Sequence, residues 1–379
     1  MAAIGWRDAD GVEHRAAWPS ATPPPTAAPV LVGDVTRAAE ALRRARAGEH
    51  LLYLGDYHNA RQLLAAMGRR LARGRRDPAG SLLDRWRAVR AARREDHDVL
   101  SRLLVPVDAD LRVSLRRAPD VRDALLHASG ALRGPSLWPL REVLGAIGSQ
   151  EWHRRGVAVP ALGGRVHPLH GVFAPVRGEH VALVAAELEN RPLAGKTAFD
   201  VGTGTGVLAI LLARAGARVF ATDTSPAAVA SAREEVARFG LAGRVEVLEA
   251  DLFPPGRADL VVANPPWLPG EPETPLDRAV YDPGGDFLRR FLRGLGEHLA
   301  PGGEAWLVLS DLAEVLGLRP AGHLGAAFAE AGLAVAGQRS ARPSHPRARN
   351  RLDPLCEARA AETVTLYRLT ASRAPDRLA

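Results

Sequence analysis

Apolar positions in the first 155 residues recur at the spacing of helices. In the stretch 58–73, for example, Leu63, Leu64, Met67 and Leu71 share one helical face, and Gly74 ends the pattern. The helices that this periodicity predicts span 34–48, 58–73, 81–104, 119–129 and 136–152. We find no unit of strand, Gly-rich loop and helix here. The sequence therefore predicts a smaller, mainly helical N-terminal domain over 31–160, preceded by a flexible Pro-rich lead-in over 1–30.

From residue 178 onward the pattern changes to short apolar runs that alternate with helical stretches. The predicted strands are 197–201, 217–222, 244–248, 258–263 and 304–309, with two edge strands at 333–338 and 362–369. The predicted helices are 178–190, 206–215, 225–239, 284–299 and 322–332. Buried strands alternating with helices are typical of a mostly parallel sheet covered on both faces. The predicted fold class is therefore α/β, with a Rossmann-like sheet in a catalytic domain over 161–379.

The composition excludes several classes of protein. A length of 379 residues favours two domains, and an apolar share of 46% excludes a wholly disordered chain. The single cysteine, Cys356, excludes a disulfide framework and a Cys-rich zinc site. We find no apolar run of about 18 residues that could span a membrane, and no secretory signal pattern. We therefore expect a cytoplasmic protein without a membrane partner.

The net charge of +7 is distributed unevenly along the chain. Residues 1–160 carry a net charge of +8, residues 161–338 carry −6, and residues 339–379 carry +5. The five arginines that mark the basic tail are Arg339, Arg342, Arg347, Arg349 and Arg351. Two interpretations remain open: these arginines are solvated side chains on ordinary surfaces, or they form a surface for a polyanion such as RNA.

A glycine-rich segment follows the first predicted strand of the catalytic domain. It runs from Asp200 to Gly206 and places glycines at 202, 204 and 206, with Thr203 and Thr205 between them. Glycines let the chain turn tightly and let a ligand approach the backbone, and open α/β sheets bind ligands at this edge. The spacing differs from that of a dinucleotide site. A plain strand-to-helix turn is the alternative.

Acidic residues also follow the next two predicted strands. Asp223 ends the second strand, where a carboxylate can accept hydrogen bonds from ribose hydroxyls. Asp251, followed by Leu252, comes after the third strand and could accept from an adenine amino group. Each of them could instead cap a helix, but their order after successive strands favours a shared ligand.

The fourth strand ends in Asn264-Pro265-Pro266-Trp267, the most specific motif in the chain. The two prolines fix the backbone and remove two N–H donors, so carbonyl groups face the cleft without competition. The Asn264 amide oxygen and the Pro265 carbonyl can then both accept from one planar amino group. Trp267 offers a flat face on which that group can stack. A Pro-rich loop with a packed tryptophan is the structural alternative.

With these motifs, the segment 170–370 resembles the class I S-adenosylmethionine-dependent methyltransferases, and in particular the HemK/PrmC-like enzymes with a methyltransferase small domain. The resemblance implies a seven-stranded sheet, S-adenosyl-L-methionine as cofactor, and Asn264, Pro265, Pro266 and Trp267 as catalytic residues, of which Asn264 and Pro265 hold the target amine. The residues that it implies for the cofactor are Asp200, Gly202, Thr203, Gly204, Gly206, Asp223, Asp251 and Leu252. The segment Gly171–Pro175 with Glu179 is similar to the segment that precedes the glycine-rich loop in this family. At the position of Trp267 the family usually has Tyr.

The reaction that this resemblance implies is methyl transfer to a planar amide or exocyclic amine nitrogen. The substrate that we favour is a glutamine side chain in a protein, a translation factor being one such partner. The alternatives are an RNA or DNA base, a small molecule, and a binding module without activity. No metal is implied, since His167, His170 and His180 lack acidic or Cys residues at metal-ligand spacing. The sequence leaves the oligomeric state open.

Overall fold

The computed structural model of the protein describes residues 2–8, 10–75, 78–130, 134–273, 275–343 and 350–372. Within it the chain divides into two compact units. The first unit comprises Met1–Pro78 and Arg87–Glu151, and the second comprises Ala79–Trp86 and Trp152–Ala379. None of the helices in the described ranges is both long and apolar enough to cross a membrane.

The strands of the first unit form one six-stranded mixed sheet. They are β1 (Ala3–Arg7), β2 (Glu13–Ala17), β3 (Val30–Val32), β4 (Leu51–Tyr53), β5 (Leu103–Val107) and β6 (Ser136–Pro139). The helices along the same stretch of chain are α1 (Ala38–Arg46), α2 (Tyr57–Arg73), α3 (Leu82–Leu100), α4 (Arg122–Ser129) and α5 (Leu140–Arg155). The strand order is β1-β2-β6-β5-β4-β3, in which β3, β4 and β5 run parallel.

This sheet corrects the prediction of a mainly helical first domain. The predicted helices are present, but the strands between them are only three to five residues long. Apolar runs of that length cannot be distinguished from helix segments by periodicity. The residues 1–30, predicted as a flexible lead-in, contain β1, β2 and the start of β3. A unit of strand, Gly-containing loop and helix is also present, because β4 leads through Gly55 to Asp56, whose carboxylate caps α2 by accepting from His58 N at 2.9 Å.

The second unit is built on a seven-stranded sheet. Its strands, with two short pairs outside the sheet, are β7 (Val157–Val159), β8 (Gly164–Val166), β9 (Thr197–Val201), β10 (Arg218–Asp223), β11 (Val245–Glu249), β12 (Ala258–Ala263), β13 (Leu268–Pro269), β14 (Tyr281–Asp282), β15 (Leu299–Ser310), β16 (Leu333–Ala341) and β17 (Val364–Ala371). Its helices are α6 (Glu179–Leu188), α7 (Val207–Arg214), α8 (Pro226–Arg238), α9 (Asp286–His298), α10 (Leu312–Val315), α11 (His323–Glu330) and α12 (Cys356–Ala361).

The strand order of this sheet is β11-β10-β9-β12-β15-β17-β16. The first five strands in this order are mutually parallel, and β17 lies antiparallel between β15 and β16. The predicted Rossmann-like, seven-stranded α/β sheet is therefore confirmed. Because the carboxyl ends of parallel strands meet at one edge, the loops that follow β9, β10, β11 and β12 leave the sheet side by side.

Both faces of the seven-stranded sheet are buried. Leu260 and Val262 of β12 belong to one apolar cluster with residues of α7 and α8, whereas Val261 and Ala263 belong to a second cluster with residues of α9 and α11. Successive side chains of a strand point to opposite faces, so β12 is apolar on both faces from Leu260 to Ala263, after the half-buried Asp259 near its start. The strands are thereby held from both sides, which fixes the positions of the loops at their ends.

Candidate functional site

The loop after β9 is a tight turn that depends on glycine. Gly202, Gly204 and Gly206 have φ angles of 75°, 55° and 77°, a left-handed conformation that other residues adopt only at a cost. A Cβ at Gly206 would lie 3.3 Å from the Cα of Ala232 on α8, whereas a Cβ at Gly204 would meet no atom within 4 Å. Gly206 thus serves close packing, and Gly204 leaves open space above the backbone.

Asp200 at the end of β9 supports this turn from inside the protein. Its side chain is almost completely buried, with 1% exposed, and its Oδ2 accepts hydrogen bonds from Thr203 Oγ1 at 2.6 Å and Ala209 N at 2.9 Å. Burial raises the pKa of Asp200 to about 6, although the two hydrogen bonds act in the opposite direction. The carboxyl group therefore fixes the start of α7, and with this pKa its charge changes around pH 6.

The end of β10 is bonded directly to the glycine turn. Gly202 N and Thr203 N both donate to the carbonyl of Thr222 at 2.9 Å. Gly204 N donates to Asp223 Oδ2 at 3.0 Å, and Ser225 N donates to Asp223 Oδ1 at 2.9 Å. A carboxylate has about four acceptor positions. Asp223 is therefore positioned by the backbone and can still accept further hydrogen bonds.

The loop after β11 joins the same edge through a second buried contact. Thr222 Oγ1 donates to the carbonyl of Leu252, and Leu252 has a φ of 66°, an unusual conformation for a leucine. The neighbouring Asp251 is exposed, and its Oδ2 lies 2.5 Å from Arg290 Nη2 on α9. Asp251 thus accepts from an arginine that the sequence did not single out.

The start of α9 contributes to this edge as well. The buried Asp282 accepts hydrogen bonds from Phe287 N at 2.9 Å and Leu288 N at 3.2 Å. The ring of Phe287 would lie 3.7 Å from a Cβ at Gly202. Neither residue was predicted. An acidic residue just before a helical amphipathic stretch is the signal that could have indicated Asp282 as a cap.

Asn264-Pro265-Pro266-Trp267 leaves the sheet next to the glycine turn, because Val201 at the end of β9 pairs with Ala263 at the end of β12. Asn264 and Trp267 are half-buried and Pro265 is buried. The indole Nε1 of Trp267 donates to Asn264 Oδ1 at 3.1 Å. The motif is therefore bonded within itself, through side chains that are three residues apart.

Arg177 contacts the ring of Trp267 in this motif. Its guanidinium carbon is 5.1 Å from the centre of the Trp267 ring, the geometry of a cation–π contact. Its Nη2 lies 3.0 Å from Glu362 Oε1, and its Nε lies 3.6 Å from Glu179 Oε2. Both glutamates are buried. Sequence reasoning noted Glu179 but missed Arg177 two positions before it.

Two of the histidines singled out in the sequence, His167 and His180, have structural surroundings. His167 Nδ1 lies 2.7 Å from the carbonyl of His153. His180 on α6 is buried, and burial lowers its pKa to about 4, so it is neutral at pH 7. In the described ranges no group of three or more His, Cys, Asp or Glu side chains has the arrangement of a metal site.

Comparisons with known proteins show which proteins this chain is similar to. Residues 163–328 match the methyltransferase small domain. The chain is 31% identical over 245 residues to a release factor glutamine methyltransferase of Gloeobacter violaceus, which covers 58% of this chain and 81% of that protein. It is 40% identical over 146 residues to the release factor glutamine methyltransferase of Cereibacter sphaeroides, covering 35% of this chain and 51% of the relative.

A third relative has a different named substrate. The ribosomal RNA small subunit methyltransferase C of Alcanivorax borkumensis is 38% identical over 143 residues, covering 36% of this chain and 40% of that protein. The chain thus spans about half the length, or less, of two of these three curated relatives.

Proposed function

The chain belongs to the family of class I S-adenosylmethionine-dependent methyltransferases with a methyltransferase small domain, and from this premise we propose that it is an N-methyltransferase. The proposed substrate is the side-chain amide of a glutamine in a protein. The observation that carries the proposal is the position of Asn264–Trp267 at the end of β12, directly beside the glycine turn that follows β9.

The residues at this edge fit S-adenosylmethionine, which supplies an electrophilic methyl group when bound. The space above Gly204 lets a ligand approach the backbone. Asp223 is fixed by two backbone donors and keeps acceptor capacity for ribose hydroxyls. The proposed cofactor set is Asp200, Gly202, Thr203, Gly204, Gly206, Asp223, Asp251 and Leu252. The carboxylates suit a ligand that carries positive charge.

In the proposed reaction the protein acts mainly by positioning and electrostatics. The lone pair of an amide nitrogen is delocalised into its π system. Asn264 Oδ1 and the Pro265 carbonyl each accept one N–H of the target group, which favours a pyramidal nitrogen and directs its lone pair at the methyl group. As the N–C bond forms, the C–S bond of the sulfonium would break and leave a neutral thioether. The nitrogen is then cationic and its extra proton can pass to water, so no strong base is needed.

A nucleic-acid base is the second candidate substrate. It is favoured by the relative whose name specifies ribosomal RNA and by the net charge of +8 over residues 1–160. Arginines on such a surface contact phosphates without regard to sequence. An exocyclic amine of adenine or guanine is planar, as an amide is, and would use the same acceptors.

Transfer of labelled methyl groups distinguishes these substrates. The full chain, given S-adenosylmethionine labelled in its methyl group, is incubated separately with a purified bacterial release factor and with small ribosomal subunits. We expect the label in the release factor, with mass spectrometry locating one added methyl group on a glutamine. Label only in the RNA would establish the second candidate, and the absence of label from both, and from a whole lysate, would refute the proposed activity.

The affinity for the cofactor is expected to rise with pH through about 6. Burial raises the pKa of Asp200 to about 6, so its carboxyl group is mostly neutral below that pH and mostly negative above it. A cationic ligand binds more tightly to the negative form, by up to about tenfold per pH unit below 6. Isothermal titration calorimetry on both sides of pH 6 measures this dependence.

The matched variant for this measurement is Asp200→Asn, which keeps the shape of the side chain and removes its ionisation. Its affinity is expected to be weaker at neutral pH and nearly independent of pH around 6. An equal pH dependence in the variant and the wild type would assign the effect to another group.

A further inference from the structure

The hydrogen bond between Trp267 and Asn264 determines which way the side-chain amide of Asn264 is oriented. The oxygen of an asparagine side chain has two lone pairs, whereas its nitrogen only donates. Because the Trp267 indole N–H donates to Oδ1 at 3.1 Å, the amide is held with its oxygen, rather than its nitrogen, on that side. One lone pair of Oδ1 is used in this bond, and the second is left for one N–H of a target amine.

The indole is in turn held from its face by Arg177. The guanidinium carbon lies 5.1 Å from the ring centre, and a planar guanidinium stacks on an aromatic face better than an ammonium does. The guanidinium donates a hydrogen bond to the buried Glu362 at 3.0 Å and forms an ion pair with the buried Glu179 at 3.6 Å. Glu362, which is 1% exposed, also accepts from Ser310 Oγ at 2.6 Å. The chain of contacts runs from β15 through Glu362 and Arg177 to the motif.

We propose that Arg177 is a positioning residue, which acts through the Trp267 ring to fix the orientation of the Asn264 amide before a substrate binds. The inference rests on the proposed function, in which Asn264 Oδ1 accepts from the target nitrogen. Acceptors that are already oriented need no reorganisation during the reaction, and this is the main advantage of a preorganised site. Arg177 touches neither the target nor the cofactor in this scheme.

A purely structural role for Arg177, the neutralisation of the two glutamates, predicts a different response to substitution. Arg177→Lys keeps the positive charge beside both carboxylates but loses the planar surface that stacks on the indole. Under the structural role this variant behaves as wild type. Under the positioning role it folds and binds cofactor as wild type, while kcat falls by about tenfold, the loss expected for one misplaced neutral hydrogen bond, and KM stays unchanged.

The indole N–H resonances give a readout that needs no substrate. The chain has seven tryptophans, and Trp267→Phe identifies the signal of Trp267 by its loss from a spectrum labelled with ¹⁵N at the indole. We expect Asn264→Ala and Arg177→Lys each to move this signal towards the position of an unbonded indole. Arg214→Lys is the matched control, since Arg214 lies 5.0 Å over the ring of Phe239 in the same unit, and it should leave the signal unchanged.

A double-mutant cycle measures whether Arg177 acts through Trp267. In Trp267→Phe the indole donor is absent, so adding Arg177→Lys should cause less than a twofold further loss of kcat. Independent losses that multiply would overturn the proposal, as would an indole signal that Arg177→Lys leaves in place. If no substrate accepts a methyl group, the proposed function fails, whereas the indole signal still decides whether Arg177 and Asn264 are coupled.

Discussion

Replacing Asn264 by alanine is expected to reduce kcat for methyl transfer by about 100- to 1,000-fold, the loss typical of one preorganised polar group in an active site. The affinity for S-adenosylmethionine should stay within about twofold of wild type, because the proposed cofactor residues lie at or just after the ends of β9, β10 and β11, whereas Asn264 follows β12. Single-turnover rates with labelled cofactor measure the first quantity and calorimetry the second.

Asn264→Asp is the control, because it retains an oxygen that can accept from both the target amine and the Trp267 indole. It should lose much less activity than the alanine variant. Asn264 is half-buried, so both variants should unfold at nearly the wild-type temperature. A wild-type kcat in the folded alanine variant would remove Asn264 from the proposed mechanism.

The seven-stranded sheet could be predicted from the sequence because turn-forming residues flank most of its apolar runs, although β15 begins at Leu299, before Pro301-Gly302-Gly303, and not at the predicted residue 304. The run 258–263, for example, is apolar except for Asp259 and ends in Asn264-Pro265, and the structure places β12 at Ala258–Ala263. The first unit lacks such marks. Its strand β4 is only Leu51–Tyr53, and its pairing with β3 and β5 depends on residues distant in sequence, which a local pattern does not contain.

The same distinction holds for the candidate site. Asp200, Asp223 and Asn264 each lie within a contiguous motif, and the structure brings them to one edge of the sheet. Arg290 reaches that edge from α9, which has no motif, and Arg177 lies between Pro175 and Glu179 but was not itself singled out. One contact could have been suggested from the sequence, because Trp267 and the residue to which it donates, Asn264, are only three positions apart. Whether these residues bind a cofactor or a substrate stays a prediction.

Fewer arginines of the basic tail are available to bind a polyanion than the charge count suggested. Arg339 Nε lies 3.3 Å from Glu187 Oε2, and Arg342 donates to the carbonyl of Ala360. Arg347 and Arg349 lie outside the described residues. Part of the positive charge of the tail therefore serves contacts within the second unit, and several arginines of residues 1–160, such as Arg75 and Arg117, are likewise paired with carboxylates.

Alanine substitutions at Gly204 and Gly206 are expected to have large and different effects. Both residues have positive φ, so each substitution strains the backbone by about 1–2 kcal/mol. At Gly206 the new Cβ would also lie 3.3 Å from Ala232, which adds an overpacking cost of about 1–3 kcal/mol. At Gly204 the Cβ meets no protein atom within 4 Å. Gly206→Ala should therefore mainly reduce the free energy of unfolding, measured by urea denaturation.

Gly204→Ala is expected to fold and yet to bind S-adenosylmethionine at least tenfold more weakly, because its methyl group fills space that the proposed cofactor needs. Gly240→Ala is the matched control, since Gly240 has a φ of 70° and open space around its Cβ position, and it lies after α8 rather than in the turn. Gly240→Ala thus carries the same backbone strain without touching the site. If calorimetry shows that Gly204→Ala binds the cofactor as tightly as Gly240→Ala does, the methyl group at residue 204 does not obstruct the cofactor. The turn after β9 is then not the surface that contacts it.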